Sequence, residues 1–349
     1  MNASGGIERV VSNLADAWAE KYELYLLTKE DGVSFYSIPS SVHTYSLSVP
    51  VILNMNNRFQ RMRELISNFF KSRSQLRTII NQIKSDYIYT TTPLNALEIF
   101  TLGQQLRKKM VVSEHGSFYG YNRVYTLIKR WIYPKVYCIS VPNSRDTEIY
   151  KNWGCNALYV PHIVTYKAFT KNSLNSKVAI NVGRLTADKQ QAELIQMWKN
   201  IKVRNSWQLW IVGDGEEYNH LDTLIETLGL RDSVKLLSAR KNIEEIYKKA
   251  SLFVFSSRYE GFGMVLLEAM AFGVPCISFD CPSGPRDVIK DGQNGYLIEN
   301  GNCQKYIETL ETILSMPEEK LEDLGDQAFD TVLSWDNKKI LKQWDEVFN

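Results

Sequence analysis

Short apolar runs alternate with longer amphipathic segments along almost the whole chain, and no other feature restricts its fold as strongly. In the first half the runs are LYLL (24–27), VHTYSL (42–47), YIYT (87–90), MVVS (110–113), VYCISV (136–141) and LYV (158–160). In the second half they are VAINVG (178–183), LWIVG (209–213), VKLL (234–237), LFVFS (252–256), PCISF (275–279) and GYLI (295–298). Between them, helices are expected over 6–20, 61–84, 191–199, 217–228, 243–249 and 304–316. Strands that alternate with helices form parallel sheets covered on both faces. Two such sets in 349 residues predict an α/β protein of two doubly wound, Rossmann-like domains, since one core rarely grows that large.

The polar, aperiodic stretch TYKAFTKNSLNS (165–176) separates the sets, giving an N-terminal domain over 1–164 and a C-terminal domain over 165–332. The closing segment, 333–349, carries Ile340, Leu341, Trp344 and Phe348 on one helical face and is expected to pack back on the N-terminal domain. MNASGGIERVVSNLA departs from the pattern. It opens on a glycine turn feeding a helix, and the strand that a doubly wound domain normally sets before such a turn, the first of the N-terminal domain, is expected either to be absent or to lie upstream of this start.

A formal net charge of +2 conceals a division: residues 1–165 hold 19 Lys and Arg against 12 Asp and Glu, and the remainder holds 22 against 27. Two domains of opposite charge suggest two kinds of partner. The five cysteines (138, 155, 276, 281 and 303) form no CxxC pair and are expected to be reduced thiols of a cytoplasmic protein. No apolar run reaches the roughly 20 residues of a membrane span, and no signal peptide is recognisable.

Chemistry concentrates in RYEGFGMVLLEAMAFGVPCIS (258–278). A glycine-rich connection follows a buried strand and leads into an apolar helix ended by Gly273 and Pro275. The connection therefore falls at the carboxyl end of a parallel strand, where open α/β sheets bind ligands. Gly261 and Gly263 would let a ligand approach the backbone, and the helix N-terminus would favour an anion. Glu268, inside the helix, can accept hydrogen bonds from a pair of neighbouring hydroxyls such as those of a ribose; the alternative is an ion pair with a nearby Arg or Lys. Glu260, on the loop, would reach another part of the same ligand. In VGRLTADK (182–189), Arg184 and Lys189 lie five residues apart on a loop after a strand, where cations suit a diphosphate, or else stand solvated at a helix start. VGDGEEY (212–218) is a second strand-to-glycine turn; Glu216 and Glu217 would repel phosphate, so Gly213 is read as lining the site.

GRLTADK, VGDGEEY, EGFGMVLLEAMAFGVPCIS and GPRDVIKDGQNGYLI, in that order and spacing, resemble the retaining glycosyltransferases of family 4, which have the GT-B fold of two Rossmann-like domains facing a cleft. Glu260 and Glu268 match that family's E-x7-E element, and SGGIERVVSNLA (4–15) matches its first glycine loop and helix. The resemblance implies that Arg184 and Lys189 hold the donor diphosphate, that Glu268 binds the ribose, and that Glu260 with Gly261, Phe262 and Gly263 faces the sugar and phosphates. Gly183 and Gly213 would line the donor site, and Gly5 and Gly6 would approach the diphosphate from the other domain. His115, in SEHGS, matches a histidine near the transferred sugar; a satisfied loop histidine is the alternative.

On this resemblance the donor is a UDP- or GDP-linked hexose or N-acetylhexosamine, with UDP favoured from CPSGPRDVI (281–289). The acceptor is a saccharide or polyprenyl-diphosphate-linked glycan of a bacterial surface polysaccharide. No DxD pair follows a strand, so no metal or other cofactor is expected. Residues 51–135 hold 14 basic and 4 acidic residues, many interleaved with aromatics. Arg58, Arg61, Arg73, Lys129, Arg130 and Trp131 are the candidates for contact with the acceptor or with an anionic membrane at its inner face, a solvated helix face being the alternative. No nucleic-acid-binding fold accompanies the charge. Two other readings stand beside transfer: a GT-B sugar-nucleotide epimerase, and a non-catalytic nucleotide-sugar-binding partner of another transferase.

Overall fold

The structure is a computed structural model that describes residues 5–29, 34–49, 58–164, 170–202, 206–240 and 242–348. In chain order its strands are β1 (Tyr25–Thr28), β2 (His43–Ser46), β3 (Ile88–Thr90), β4 (Met110–Ser113), β5 (Cys138–Val141), β6 (Ala157–Tyr159), β7 (Val178–Val182), β8 (Gln208–Val212), β9 (Val234–Leu237), β10 (Leu252–Phe255), β11 (Cys276–Asp280) and β12 (Gly295–Glu299). Its helices are α1 (Gly6–Trp18), α2 (Arg58–Ile83), α3 (Pro93–Phe100), α4 (Gln104–Arg107), α5 (Arg123–Ile132), α6 (Ser144–Asn152), α7 (Gln191–Asn200), α8 (Tyr218–Thr227), α9 (Glu244–Tyr247), α10 (Met264–Met270), α11 (Pro285–Val288), α12 (Cys303–Leu314), α13 (Glu318–Leu333) and α14 (Asn337–Phe348).

Every apolar run of the sequence became a strand, and all named strand pairs are parallel. The second half forms one six-stranded sheet in the order β12-β11-β10-β7-β8-β9, so the chain reverses direction across the sheet between β7 and β10. That reversal is the switch point at which the carboxyl ends of strands open a crevice. The first half forms a four-stranded sheet, β3-β4-β5-β6, and a separate pair, β1-β2. The described residues begin with the Gly5 turn and α1.

Polar caps start several helices that hydrophobic periodicity alone does not mark. Thr92 accepts from the Asn95 N–H ahead of α3, Asn122 accepts from Val124 and Tyr125 ahead of α5, and Asn143 accepts from Asp146 ahead of α6. α10 ends where Gly273 takes φ +70°, a left-handed conformation that glycine adopts without strain.

Three apolar clusters hold the layers. One surrounds the six-stranded sheet, with Trp198, Phe253, Leu266 and Phe279 fully enclosed. A second lies on one side of β4 and β5, against α3 and α5. A third covers the other side and joins Val10, Leu14 and Trp18 of α1 to Ile340, Trp344 and Val347 of α14. Trp344 meets Trp18 edge-on at 5.3 Å. Burying such a side chain contributes about 1.5–3 kcal/mol, so the last helix is an integral part of the N-terminal core. Among the described residues, no helix is long and apolar enough to cross a membrane.

Candidate active site

The first turn of α6 fastens the two halves together. Its cap, Asn143, donates to the Gly261 carbonyl at 2.8 Å, and Ser144 bonds Asp287 through both its N–H and its hydroxyl. Asp146, 1% exposed, accepts from Ser283 of the C-terminal half and from the Phe118 N–H. Burial raises its pKa, against the pull of these donors. Loops at the carboxyl ends of β4, β5, β10 and β11 are thereby closed on one another.

The glycines of the EGFG loop serve this closure. A Cβ on Gly261 would collide with the backbone carbonyl of His115, which belongs to the other half of the molecule. Domain contact by itself therefore requires glycine at 261. Gly263 takes φ +85° and caps α10, its Cα facing Leu266 and Phe255. Gly213 likewise abuts the Gly183 carbonyl, whereas Gly183 and Gly6 have open space around them. Gly261→Ala is expected to push the two loops apart by about an ångström and to lower turnover by up to about 10²-fold, with an unchanged far-UV spectrum. Turnover at the wild-type rate would show that the contact is dispensable.

Lys189 and Glu260 meet in an ion pair, their side chains 19% and 12% exposed. The lysine's loop is anchored by Ser256 donating to the Lys189 carbonyl and by the Arg258 N–H donating to Asp188. Arg184 is exposed at the start of the same loop, and its carbonyl accepts from Gln191. Glu268 is buried at the middle of α10. One of its oxygens pairs with Arg9 of α1 at 2.7 Å, and the other accepts from the Tyr247 hydroxyl at 2.8 Å. The ion-pair alternative weighed for Glu268 is thus present, with the cation coming from across the cleft.

His115 lies two residues after β4, and neither of its ring nitrogens has a hydrogen-bond partner among the described residues. Burial lowers its pKa to about 4, so the imidazole is neutral at pH 7. Its ring stacks on His162 at 5.4 Å; His162 meets Phe262 edge-on, and Phe262 packs against Trp335. Burial, and then His115, lower the pKa of His162. The column joins both halves. It leaves Phe262, 2% exposed, with little beyond its backbone to offer a ligand. His162 was not singled out from the sequence, although its place two residues after the LYV run marks it as a strand-end residue. Arg9, Tyr247, Asn143 and Asp146 had no such signal.

Gly5 caps α1, and the Glu8 carboxylate folds back against it. On the basic side, Lys129 requires correction: it is 1% exposed and cannot meet an acceptor or a membrane. It donates to Glu114 at 2.6 Å and to the Tyr150 hydroxyl at 2.7 Å, while Tyr133 also donates to Glu114. Burial lowers the lysine's pKa and the adjacent carboxylate opposes that. Helical spacing turned this residue to the inner face of α5. Its outer face shows Val124, Leu127 and Trp131, 58%, 68% and 52% exposed, beside Arg123 and Arg130. Arg73 donates to the Thr101 carbonyl at 2.8 Å. The side chains of Arg58 and Arg61, both in α2, lie outside the description.

Two family profiles divide the chain: Glycosyltransferase Family 4 matches residues 4–163, and Glycosyl transferases group 1 matches residues 165–331. The chain is a GT-B glycosyltransferase of the family 4 type. It is 26% identical to the amylovoran biosynthesis glycosyltransferase AmsD of Erwinia amylovora, over 99% of this chain and 96% of that one. It is 24% identical, over 98% and 94%, to the GalNAc-alpha-(1->4)-GalNAc-alpha-(1->3)-diNAcBac-PP-undecaprenol alpha-1,4-N-acetyl-D-galactosaminyltransferase of Campylobacter jejuni. Among solved structures, Anabaena HepE in complex with UDP and glucose superposes with a TM-score of 0.75 at 18% identity, covering 99% of this chain and 96% of that one. The glycosyltransferase spans 58% of the longer TarM chain, another structural neighbour.

Proposed function

We propose that this glycosyltransferase moves a hexose or N-acetylhexosamine, with retention, from a UDP-sugar to a glycan or lipid-linked acceptor in the assembly of a bacterial surface polysaccharide. The observation that carries the reading is the meeting of the loops that follow β4, β7 and β10, where Lys189 pairs with Glu260 and Gly261 abuts the His115 carbonyl, while Glu268 of α10 pairs with Arg9 of the other half. The names of the relatives support the substrate class, and the UDP bound by HepE supports the base.

In this reaction the bond between the sugar's anomeric carbon and the β-phosphate oxygen breaks. Charge gathers on the diphosphate, and the sugar becomes cation-like. Arg184 and Lys189 stabilise the leaving diphosphate, an electrostatic contribution realised in the transition state and requiring no metal. Glu268 accepts hydrogen bonds from the ribose. Glu260 orients Lys189 and faces the sugar, and neutral His115 accepts a hydrogen bond from a sugar hydroxyl. The acceptor hydroxyl attacks the face the diphosphate leaves, and a phosphate oxygen takes its proton. The exposed Val124, Leu127 and Trp131 with Arg123 and Arg130 form the surface that rests on an anionic membrane, where a lipid-linked acceptor would lie.

The test is nucleoside-diphosphate release from a panel of UDP- and GDP-sugars, with and without acceptor glycans and with a chelator present. Release from a UDP-sugar that requires acceptor, resists the chelator and yields an α-linked product from an α-linked donor is expected. An epimerised donor formed without acceptor, or no turnover of any donor, would sink the reading.

A further inference from the structure

The carboxylate assigned to the ribose is already engaged by protein side chains. Glu268 has a side chain 4% exposed, Arg9 covers its Oε1 at 2.7 Å, and Tyr247 donates to its Oε2 at 2.8 Å. A carboxylate has about four acceptor positions, so Tyr247 and a ribose hydroxyl can share one oxygen. The Arg9 guanidinium is bulkier and sits on the cleft side, 20% exposed, on a helix of the opposite half. A diol approaching both oxygens meets it first. Burial raises the pKa of Tyr36, and Arg9, Glu268 and Glu8 all act on that hydroxyl. The pair therefore stands in a partly dry pocket, and a released guanidinium there requires another anion.

Such an anion arrives in the same event. Arg9 lies in the first turn of α1, one turn from the Gly5–Gly6 entry that faces the diphosphate in the proposed function. The Glu8 carboxylate, folded onto Gly5, already occupies the N-terminus of α1. Two adjacent side chains of α1 thus fill the places of the donor: Glu8 where an anion would sit, and Arg9 where the diol would bond.

We propose that Arg9 is a further donor-site residue that exchanges partners, holding Glu268 until a nucleotide binds and then passing to the diphosphate. This inference rests on the donor-site reading above. Charge is conserved in the exchange: the Arg9–Glu268 pair is neutral, the incoming diphosphate takes the cation, and the diol takes the carboxylate. Nucleotide occupancy then decides which contact joins the N-terminal half to the C-terminal half.

The experiment compares calorimetric binding of uridine and UDP to the wild-type chain, Arg9→Ala and Arg9→Lys, with guanosine and GDP as a second pair. If Arg9 exchanges partners, Arg9→Ala binds the nucleoside a fewfold tighter, since its competitor is gone. The same variant binds the nucleoside diphosphate about tenfold or more weaker, since one charge-assisted contact is lost. Arg9→Lys falls between. A loss or absence of change shared by nucleoside and diphosphate would overturn the exchange and leave Arg9 a structural tie, and tighter UDP binding would make it a competitor only. If the wild-type chain binds neither UDP nor GDP, the donor-site reading itself fails and the exchange falls with it.

Discussion

Lys189→Met is expected to lower the rate of sugar transfer by about 10²–10³-fold, mostly in kcat. The lysine is held beside Glu260 on a loop tied to Ser256 and Arg258, so its charge is in place before the bond breaks. A preorganised cation acts most strongly where negative charge develops, on the leaving diphosphate, and a loss confined to KM would show instead that it contributes equally to ground-state binding. A confounding effect is built into the variant, because Glu260 loses its partner while only 12% exposed. The double variant Lys189→Met, Glu260→Gln separates the two. If the defect comes from a stranded carboxylate, the double variant recovers. If the cation itself stabilises the diphosphate, the double variant stays as slow as the single variant and far slower than Glu260→Gln alone, and Lys189→Arg retains part of the rate.

The second large effect concerns stability. Lys129→Met leaves Glu114, 2% exposed, without its cation, and removing one member of a buried pair costs about 3–5 kcal/mol. At about 2–4 °C per kcal/mol for a domain of this size, the melting temperature should fall by roughly 10 °C. Replacing both members, Lys129→Met with Glu114→Gln, should recover most of the loss, because two neutral groups avoid the desolvation of two ions. The hydroxyls of Tyr133 and Tyr150, which meet opposite oxygens of Glu114, remain to pair with the glutamine amide, one donating to its oxygen and the other accepting from its NH2. Glu114 is the neighbour of His115, so the double variant also tests whether the buried charge holds that loop: full stability with reduced turnover would assign it a positioning role. A single variant that melts with the wild type would refute the buried-pair account.

The alternation of apolar runs with helical segments made the strands legible because a run of four to six apolar residues between turns has few other ways to be buried. The E-x7-E spacing was legible for a related reason, since a strand, a glycine turn and a helix place two carboxylates on one crevice by local geometry. α5 and α6 were less legible. Their starts depend on the Asn122 and Asn143 caps, and the inner face of α5 carries a lysine where periodicity expects an apolar residue. A burial pattern that includes a paired charge looks, in one dimension, like a basic surface. Lys129 was placed on the outside for that reason.

By itself the sequence determined the strands and helices, the switch-point loops and the residue types those loops carry, because each follows from the local pattern of neighbours in the chain. Only the tertiary structure decided which of those residues meet. Gly261 has no side chain because the His115 carbonyl occupies its place, and Glu268 answers to Arg9, which lies 259 positions earlier in the chain. Contacts between the halves depend on how two separately buried sheets dock. Docking is fixed by α6, by the His115–His162–Phe262–Trp335 column and by α14 returning to the first core, and periodicity carries no information about those pairings.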